Sequence, residues 1–248
     1  MNIEINGAPI YFELPFFGGI PITATLVVTW GLMILITLLC IYLTRNLRTQ
    51  NITKRQAVAE FLVQTLESFV HGNMGPQWDR YVPFIGALFS LSLFGSLSSL
   101  LGLYAPTADL NTELAWAIFV FGLITATKIK TGGLGGYLKG FTQPIAVLTP
   151  FNIISEVATP ISMAFRHFGN IVSGYVISTL VYAALALANR ALFGLLPGLV
   201  GELLGTIPFL SVGVPAVLSA YFDWFSSFMQ AFIFSMLTMM YIAAAAEE

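Results

Sequence analysis

The sequence predicts an all-α polytopic membrane protein, with about five membrane-crossing helices and one amphipathic helix on the cytoplasmic surface. Three observations support this fold class. Hydrophobic residues make up 57% of the 248 residues and charged residues only 9%, whereas soluble domains have roughly 25% charged residues. Several apolar runs are long enough to cross a hydrocarbon core of about 30 Å. The basic residues gather in the segments expected to face the cytoplasm.

The first part of the single membrane domain (residues 1–248) contains three predicted crossings of ordinary length. An external N-terminal segment (1–23) leads into the first span (24–44), and the second and third spans cover 81–104 and 112–129. Residues 53–71 are different, because Thr53 and Gln56 suggest a capping box and apolar residues recur at helical spacing on one face only. We expect this amphipathic helix to lie on the cytoplasmic surface. The Gly-rich stretch TGGLGGYLKG after the third span is interpreted as a loop.

The last two segments, 150–189 and 207–246, are too long for an upright crossing. A helix of about 38 residues extends for roughly 57 Å, so it fits a 30 Å layer only if it is broken or tilted by roughly 60°. Pro160 and Pro215 are candidate bends. We predict two long, steeply tilted helices that pack as a hairpin.

The distribution of charge predicts topology and location. The ten basic residues include eight in the two segments inferred to be cytoplasmic: Arg45, Arg48, Lys54, Arg55, Arg80, Lys128, Lys130 and Lys139. The N-terminus is therefore expected outside and the C-terminus in the cytoplasm. A start without a basic segment favours a bacterial plasma (inner) membrane over an imported organellar protein. The net charge of −2 and the lack of a basic tract argue against nucleic-acid binding.

Polar residues share faces on the two long segments. Arg166 lies in an apolar run although its guanidinium cannot deprotonate, and burying it costs about 2.5–3.5 kcal/mol on insertion scales. Asn170 and Ser173 follow it at i+4 and i+7. The final segment repeats this spacing with Asp223, Ser227 and Gln230. Two such stripes predict either a hydrated ion path or a hydrogen-bonded seam between helices.

Three segments together resemble subunit a of the F-type ATP synthase, of the bacterial type. These are PISMAFRHFGN (Pro160 to Asn170), PTADLN (Pro106 to Asn111) and QAFIFSMLTMMYI (Gln230 to Ile242). The resemblance runs in order from about residue 81 to the C-terminus, and the first 50 residues add only a compatible topology.

The resemblance implies a stator beside a rotating ring of c subunits. It implies that two offset half-channels carry protons to and from the ring carboxylates, and that Arg166 separates them. Asn170 and Gln230 match polar positions beside this arginine. Glu156 is assigned to the inner half-channel and Asp223 to the outer one as a proton relay.

Some positions depart from the family pattern or leave alternatives open. Some members carry an acid nine residues after the arginine and a histidine seven before the glutamine, where this sequence has Tyr175 and Asp223. Tyr175 is the alternative outer relay. His167 is interpreted as a packing or interface residue rather than a proton carrier. Asp109 and Glu113 are candidates for the outer channel mouth, although exposed acids in a turn are more often simply solvated.

The resemblance also implies the partners of the chain. The two long helices would face the c-ring, while the b-subunit peripheral stalk, the rest of the F1Fo complex and the lipid bilayer would complete the surroundings. We expect no cofactor, no metal and no catalytic nucleotide site, because ATP chemistry would belong to partner subunits. The alternative is a secondary transporter for a small anion, with Arg166 as the substrate clamp.

Overall fold

The computed structural model describes residues 7–15, 19–193, 217 and 220–247, and most of them are helical. Within these ranges, five helical segments are long and apolar enough to cross a membrane. The predicted all-α polytopic fold class is therefore confirmed.

The chain begins with a small antiparallel hairpin that the sequence analysis did not predict. Strands β1 (Ile10–Leu14) and β2 (Ile20–Thr23) pair with Leu14 opposite Ile20. Helix α1 (Ala24–Thr44) follows without a linker and matches the predicted first span. Of its residues only Ala24 and Thr25 are buried, so nearly the whole helix faces its surroundings.

The predicted amphipathic helix is α2 (Lys54–Met74). Its capping box forms only in part. The Thr53 hydroxyl accepts a hydrogen bond from the backbone N–H of Gln56 at 3.3 Å. The buried Gln56 amide instead turns to the preceding loop, where it accepts from the Arg48 N–H (2.9 Å) and donates to the Arg48 carbonyl (2.8 Å). The helix ends at Gly75, whose φ of +91° favours glycine.

Only the second half of the apolar face of α2 packs against the protein. Val70 is buried and the Phe69 ring lies 5.1 Å from that of Phe232 on the last helix. Phe61 and Leu62, by contrast, are 66% and 52% exposed. The first half of this face is thus left for lipid or a partner.

The second span is helix α3 (Val82–Leu97) with a 3-10 turn at each end, Pro76–Tyr81 and Ser98–Leu101. A 3-10 turn at Pro106–Ala108 leads into α4 (Leu110–Gly140), which contains the predicted third span. The prediction of a loop after that span is wrong, because helical structure continues to Gly140. The helix is kinked at Gly133, whose backbone is not helical and whose φ of +72° favours glycine.

Helix α5 is as long as the sequence suggested, whereas the start of the last predicted segment (207–246) lies outside the described residues. After a 3-10 turn (Ala146–Leu148), α5 (Thr149–Phe193) runs for 45 residues with Pro160 inside it, which is about 68 Å of helix. A π-helical turn (Ala220–Ser226) leads into α6 (Ser227–Glu247). The bend predicted at Pro215 lies outside the described residues, and the steep tilt stays a prediction.

The core lies where α2 to α6 meet. Among the described residues, helix α5 packs mainly on α4 and helix α6 mainly on α3, and α5 and α6 also contact each other. Buried apolar residues from all five helices fill the centre: Val70, Met74, Ile85, Leu88, Ala117, Val120, Ile124, Met163, Ala164, Phe234, Met239 and Ile242. The predicted polar residues lie beside this core, along the contact between α5 and α6.

Candidate ion-translocation site

Arg166 lies on the open side of the contact between α5 and α6. Its side chain is exposed and lines a shallow groove together with Gln230 and apolar residues of both helices. In the part of the chain that the structure describes, its guanidinium makes no ion pair or hydrogen bond. The groove therefore brings together two predicted site residues, Gln230 and the permanently charged Arg166.

The two helices are joined by a hydrogen bond beside this groove. The Asn170 side-chain amide donates to the Ser226 hydroxyl at 2.6 Å. Ser226 and Ser227 are both buried, whereas Ser173 is exposed and donates to the Asn170 carbonyl at 3.1 Å. The predicted hydrogen-bonded seam between the helices thus exists at Asn170. The partner of Asn170 on the other helix is Ser226 and not the neighbouring Ser227.

The π-helical turn explains this difference of one residue. A π turn inserts one extra residue relative to an α-helix, so the i, i+4, i+7 spacing does not apply through residues 220–226. Asp223 lies within this turn and is partly buried. It does not line the groove that holds Arg166 and Gln230.

A second group of polar residues lies around the start of α4. Asp109 caps this helix by accepting from the Asn111 N–H at 3.0 Å, and it also accepts from the Thr25 hydroxyl of α1 at 2.9 Å. Burial raises the pKa of the Tyr104 phenol above its ordinary 10.0, and the neighbouring Asp109 and Tyr175 raise it further. Tyr175, itself 63% exposed, therefore belongs with Asp109 and Tyr104, away from Arg166.

Glu113 and His167 form a pair inside the bundle. Glu113 Oε2 lies 3.2 Å from His167 Nδ1, and their side chains are 0% and 1% exposed. His167 Nε2 lies 3.4 Å from the Ser92 hydroxyl of α3, and the imidazole ring packs against Phe234. His167 is therefore buried inside the bundle, and its assignment as a packing or interface residue rather than a proton carrier stays a prediction. The expectation that Glu113 is simply solvated is wrong, because the helix that Asp109 caps turns this carboxylate towards α5.

Glu156 lies at the other end of α5, near the basic residues. Its carboxylate is 3.3 Å from Lys128 Nζ of α4, and both side chains are 19% exposed. Ten residues separate it from Arg166, or about 15 Å along the helix. The predicted inner acid is thus half-buried and paired with a lysine.

Sequence reasoning missed several residues of this region. Ser226 was hidden by the π turn, and Ser92 looked like one of many small residues in α3. Glu113 gave no signal of its burial, because acidic residues are common in the first turn of a helix. Among the described residues, no cluster of three or more acidic, histidine or cysteine side chains is available to hold a metal.

Comparisons with known proteins agree on one family. The family model of the ATP synthase A chain matches residues 26–243. ATP synthase subunit a of Albidiferax ferrireducens is 34% identical over 232 residues, covering 92% of this chain and 88% of the relative. ATP synthase subunit a of Nitratidesulfovibrio vulgaris (strain DP4) is 32% identical over 253 residues, covering 100% and 91%. The sodium ion specific ATP synthase subunit a of Propionigenium modestum is 30% identical over 240 residues, covering 90% and 74%.

Proposed function

Because this chain belongs to the family of the ATP synthase A chain, we propose that Arg166 separates two offset half-channels that carry protons to and from the carboxylates of a rotating c-ring. As a member of the family, the chain is a multi-pass membrane subunit of the Fo sector of the F1Fo complex and takes part in ion translocation. Partner subunits would couple this flow to ATP synthesis or hydrolysis. The family assignment replaces the alternative of a transporter for a small anion.

The observation that carries the proposal is the open groove around Arg166, whose guanidinium makes no ion pair with any residue that the structure describes. A carboxylate about 4 Å from a guanidinium gains about 4 kcal/mol at an effective dielectric constant near 20. Such a gain favours the ionised form of a passing ring carboxyl and hence release of its proton. The same fixed charge repels a proton that would otherwise pass directly between the half-channels.

The outer half-channel is proposed at the end of the bundle that carries Asp109 and Tyr104. Tyr175 lies close to Tyr104, and Asp223 lies on the π turn ahead of Gln230. Either of the two predicted relays, Asp223 or Tyr175, would then pass protons towards the groove. Asn170, Ser173 and Ser227 would line or brace this side of the α5–α6 contact.

The inner half-channel is proposed along the other half of α5, where Glu156 lies. The ion pair with Lys128 holds this acid at the end of the bundle that is rich in basic residues. The positive-inside rule assigns that end to the cytoplasm, the N-terminus to the outside and the C-terminus to the cytoplasm.

The c-ring is proposed to lie against the side of α5 and α6 that Arg166 faces. Large apolar side chains are exposed near it, including Phe165 (51%) and Phe228 (48%). The b-subunit stalk and lipid would cover the remaining apolar surface, which includes most of α1.

Substitution of Arg166 tests the proposal. In inverted membrane vesicles that contain the assembled complex, Arg166→Ala should abolish ATP-driven proton pumping, measured by quenching of a pH-sensitive dye. The matched control is Arg190→Ala, which removes an exposed arginine further along the same helix and should pump normally. Normal pumping by Arg166→Ala, with the c-ring still bound, would refute the proposal.

A further inference from the structure

A cavity of about 120 Å³ opens at the end of the bundle that is rich in basic residues. The 3-10 turn before α3, the second half of α4 and the end of α6 surround it. A single water molecule needs roughly 10–15 Å³ of such space, so the cavity has room for a small polar group such as a phosphate. The side chains that give it its chemistry are Trp78, Arg80, Tyr81, Leu123, Ala126 and Lys130.

Two cationic side chains line this cavity. The Arg80 guanidinium lies 5.4 Å from the ring centroids of both Trp78 and Tyr81, and these cation–π contacts hold it in place. Lys130 is exposed on α4. Neither Arg80 nor Lys130 forms an ion pair with a residue that the structure describes. A phosphate suits such a pair, because the planar guanidinium can donate two hydrogen bonds to it and the lysine adds a second charge.

The acidic residues near the cavity are directed elsewhere. Asp79, which precedes Arg80, has its carboxylate 2.5 Å from His71 Nε2 of α2. Glu247, at the end of α6, is exposed and does not line the cavity. No acidic side chain that the structure describes lines it. The cavity therefore attracts an anion rather than a cation.

An apolar strip leads from this cavity along α4. Ala126, Leu123 and Phe119 precede Lys130 at steps of four, three and four residues, so all share one face of the helix. Phe119 is 59% exposed, and its ring lies 5.8 Å from that of Phe84 on α3. From Lys130 to Phe119 the strip extends for about 16 Å, which is about half of a 30 Å hydrocarbon layer. This is the depth that one acyl chain occupies in one leaflet.

We propose that the cavity binds the phosphate headgroup of an anionic phospholipid, with an acyl chain along the apolar strip. Arg80 and Lys130 bind the phosphate, while Leu123, Ala126 and Phe119 contact the chain. Basic pockets between membrane helices bind such headgroups on the cytoplasmic side, where the proposed orientation puts both cations. The strip favours a lipid over free inorganic phosphate, which would leave it uncovered. The inference goes beyond the proposed function and does not depend on Arg166.

A photoreactive phosphatidylglycerol with a diazirine in its acyl chain tests this site. The assembled complex is placed in nanodiscs made mainly of phosphatidylcholine, and the crosslinked residues are mapped by mass spectrometry. The probe should label α4 within residues 119–126. Unlabelled phosphatidylglycerol should compete with it, whereas added inorganic phosphate should not.

Substitution of the two cations should weaken this labelling. Each basic residue near an anionic lipid strengthens binding about fivefold. Lys130→Gln should therefore lower the labelling of 119–126 about fivefold, and the double variant with Arg80→Gln about 25-fold. The matched control is Lys139→Gln, which removes an exposed lysine further along α4 that does not line the cavity. It should change the labelling little.

Several outcomes would overturn the inference. Equal labelling by a phosphatidylcholine probe, or an equal loss in Lys139→Gln, would mean that the bound lipid is not selected by this cavity. Competition by inorganic phosphate would make it a site for a free anion, and no labelling by either lipid probe would mean that a partner subunit covers the strip. If Arg80→Gln does not assemble, Lys130→Gln against Lys139→Gln decides alone. Pumping by Arg166→Ala has no bearing on these results.

Discussion

Replacing Asn170 by alanine removes the hydrogen bond that joins α5 to α6 beside the groove. The Asn170 amide lies 2.6 Å from the Ser226 hydroxyl, and Ser226 is only 8% exposed. Hydrogen bonds between transmembrane helices contribute about 0.6 kcal/mol on average and up to about 1.7 kcal/mol. Because the variant also leaves a buried hydroxyl unpaired, its total cost should reach about 1–3 kcal/mol.

A double-mutant cycle isolates this hydrogen bond from the rest of the site. Asn170→Ala, Ser226→Ala and the double variant would be unfolded with SDS in mixed micelles and followed by helical circular dichroism. We expect a coupling free energy of about 0.6–1.7 kcal/mol, or about a 3- to 18-fold change in the unfolding equilibrium. Ser173→Ala, whose hydroxyl is exposed, should change little. A coupling below about 0.3 kcal/mol, the ordinary error of additivity, would refute the role given to this bond.

Three further predictions concern the half of the molecule that is proposed to face outwards. Asp223→Asn should slow proton translocation and shift its pH dependence, whereas Tyr175→Phe should have a much smaller effect on both. The reverse result in vesicle pumping assays would exchange the roles of the two residues. Thr25→Ala should lower the free energy of unfolding by about 0.5–1.5 kcal/mol because the bond to the cap of α4 is lost, while Thr37→Ala, whose hydroxyl bonds within its own helix, serves as the control. The raised pKa of Tyr104 means that folding favours its neutral form, so its contribution to stability is complete below pH 10 and is lost as the pH rises through the raised value. Tyr104→Phe should remove this alkaline loss in unfolding titrations.

The features that the sequence predicted best are those that depend on how hydrophobic each segment of the chain is. The first helix begins and ends at the predicted residues because an apolar run is followed at once by Arg45 and Arg48. The great length of α5 was equally clear, since no charged side chain other than Glu156 and Arg166 interrupts the run before Arg190. Hydrophobicity along the chain is enough for such elements, because a membrane segment must satisfy its backbone hydrogen bonds internally.

The features that it missed depend on packing between segments that are far apart in sequence. The π turn moves the polar contact from Ser227 to Ser226, and no spacing rule for an α-helix reveals such a turn. Glu113 meets His167 only because α4 and α5 lie side by side, 54 positions apart in the chain. The Gly-rich end of α4 shows the opposite error, since local propensity favoured a loop where the chain is helical on both sides of the kink at Gly133.

Helix α1 is held by hydrogen bonds near its two ends, and many of its side chains between them are exposed. Near the start of α1, the Thr25 hydroxyl donates a hydrogen bond to Asp109. Just after its end, the Gln56 side-chain amide forms hydrogen bonds with both the N–H and the carbonyl of Arg48. Between them, side chains such as Ile34 and Leu38 are 61% and 58% exposed. In the bundle, α1 packs on α2 and α3. A sideways load on α1 would therefore pass first to those two helices and not directly to α5, which carries Arg166.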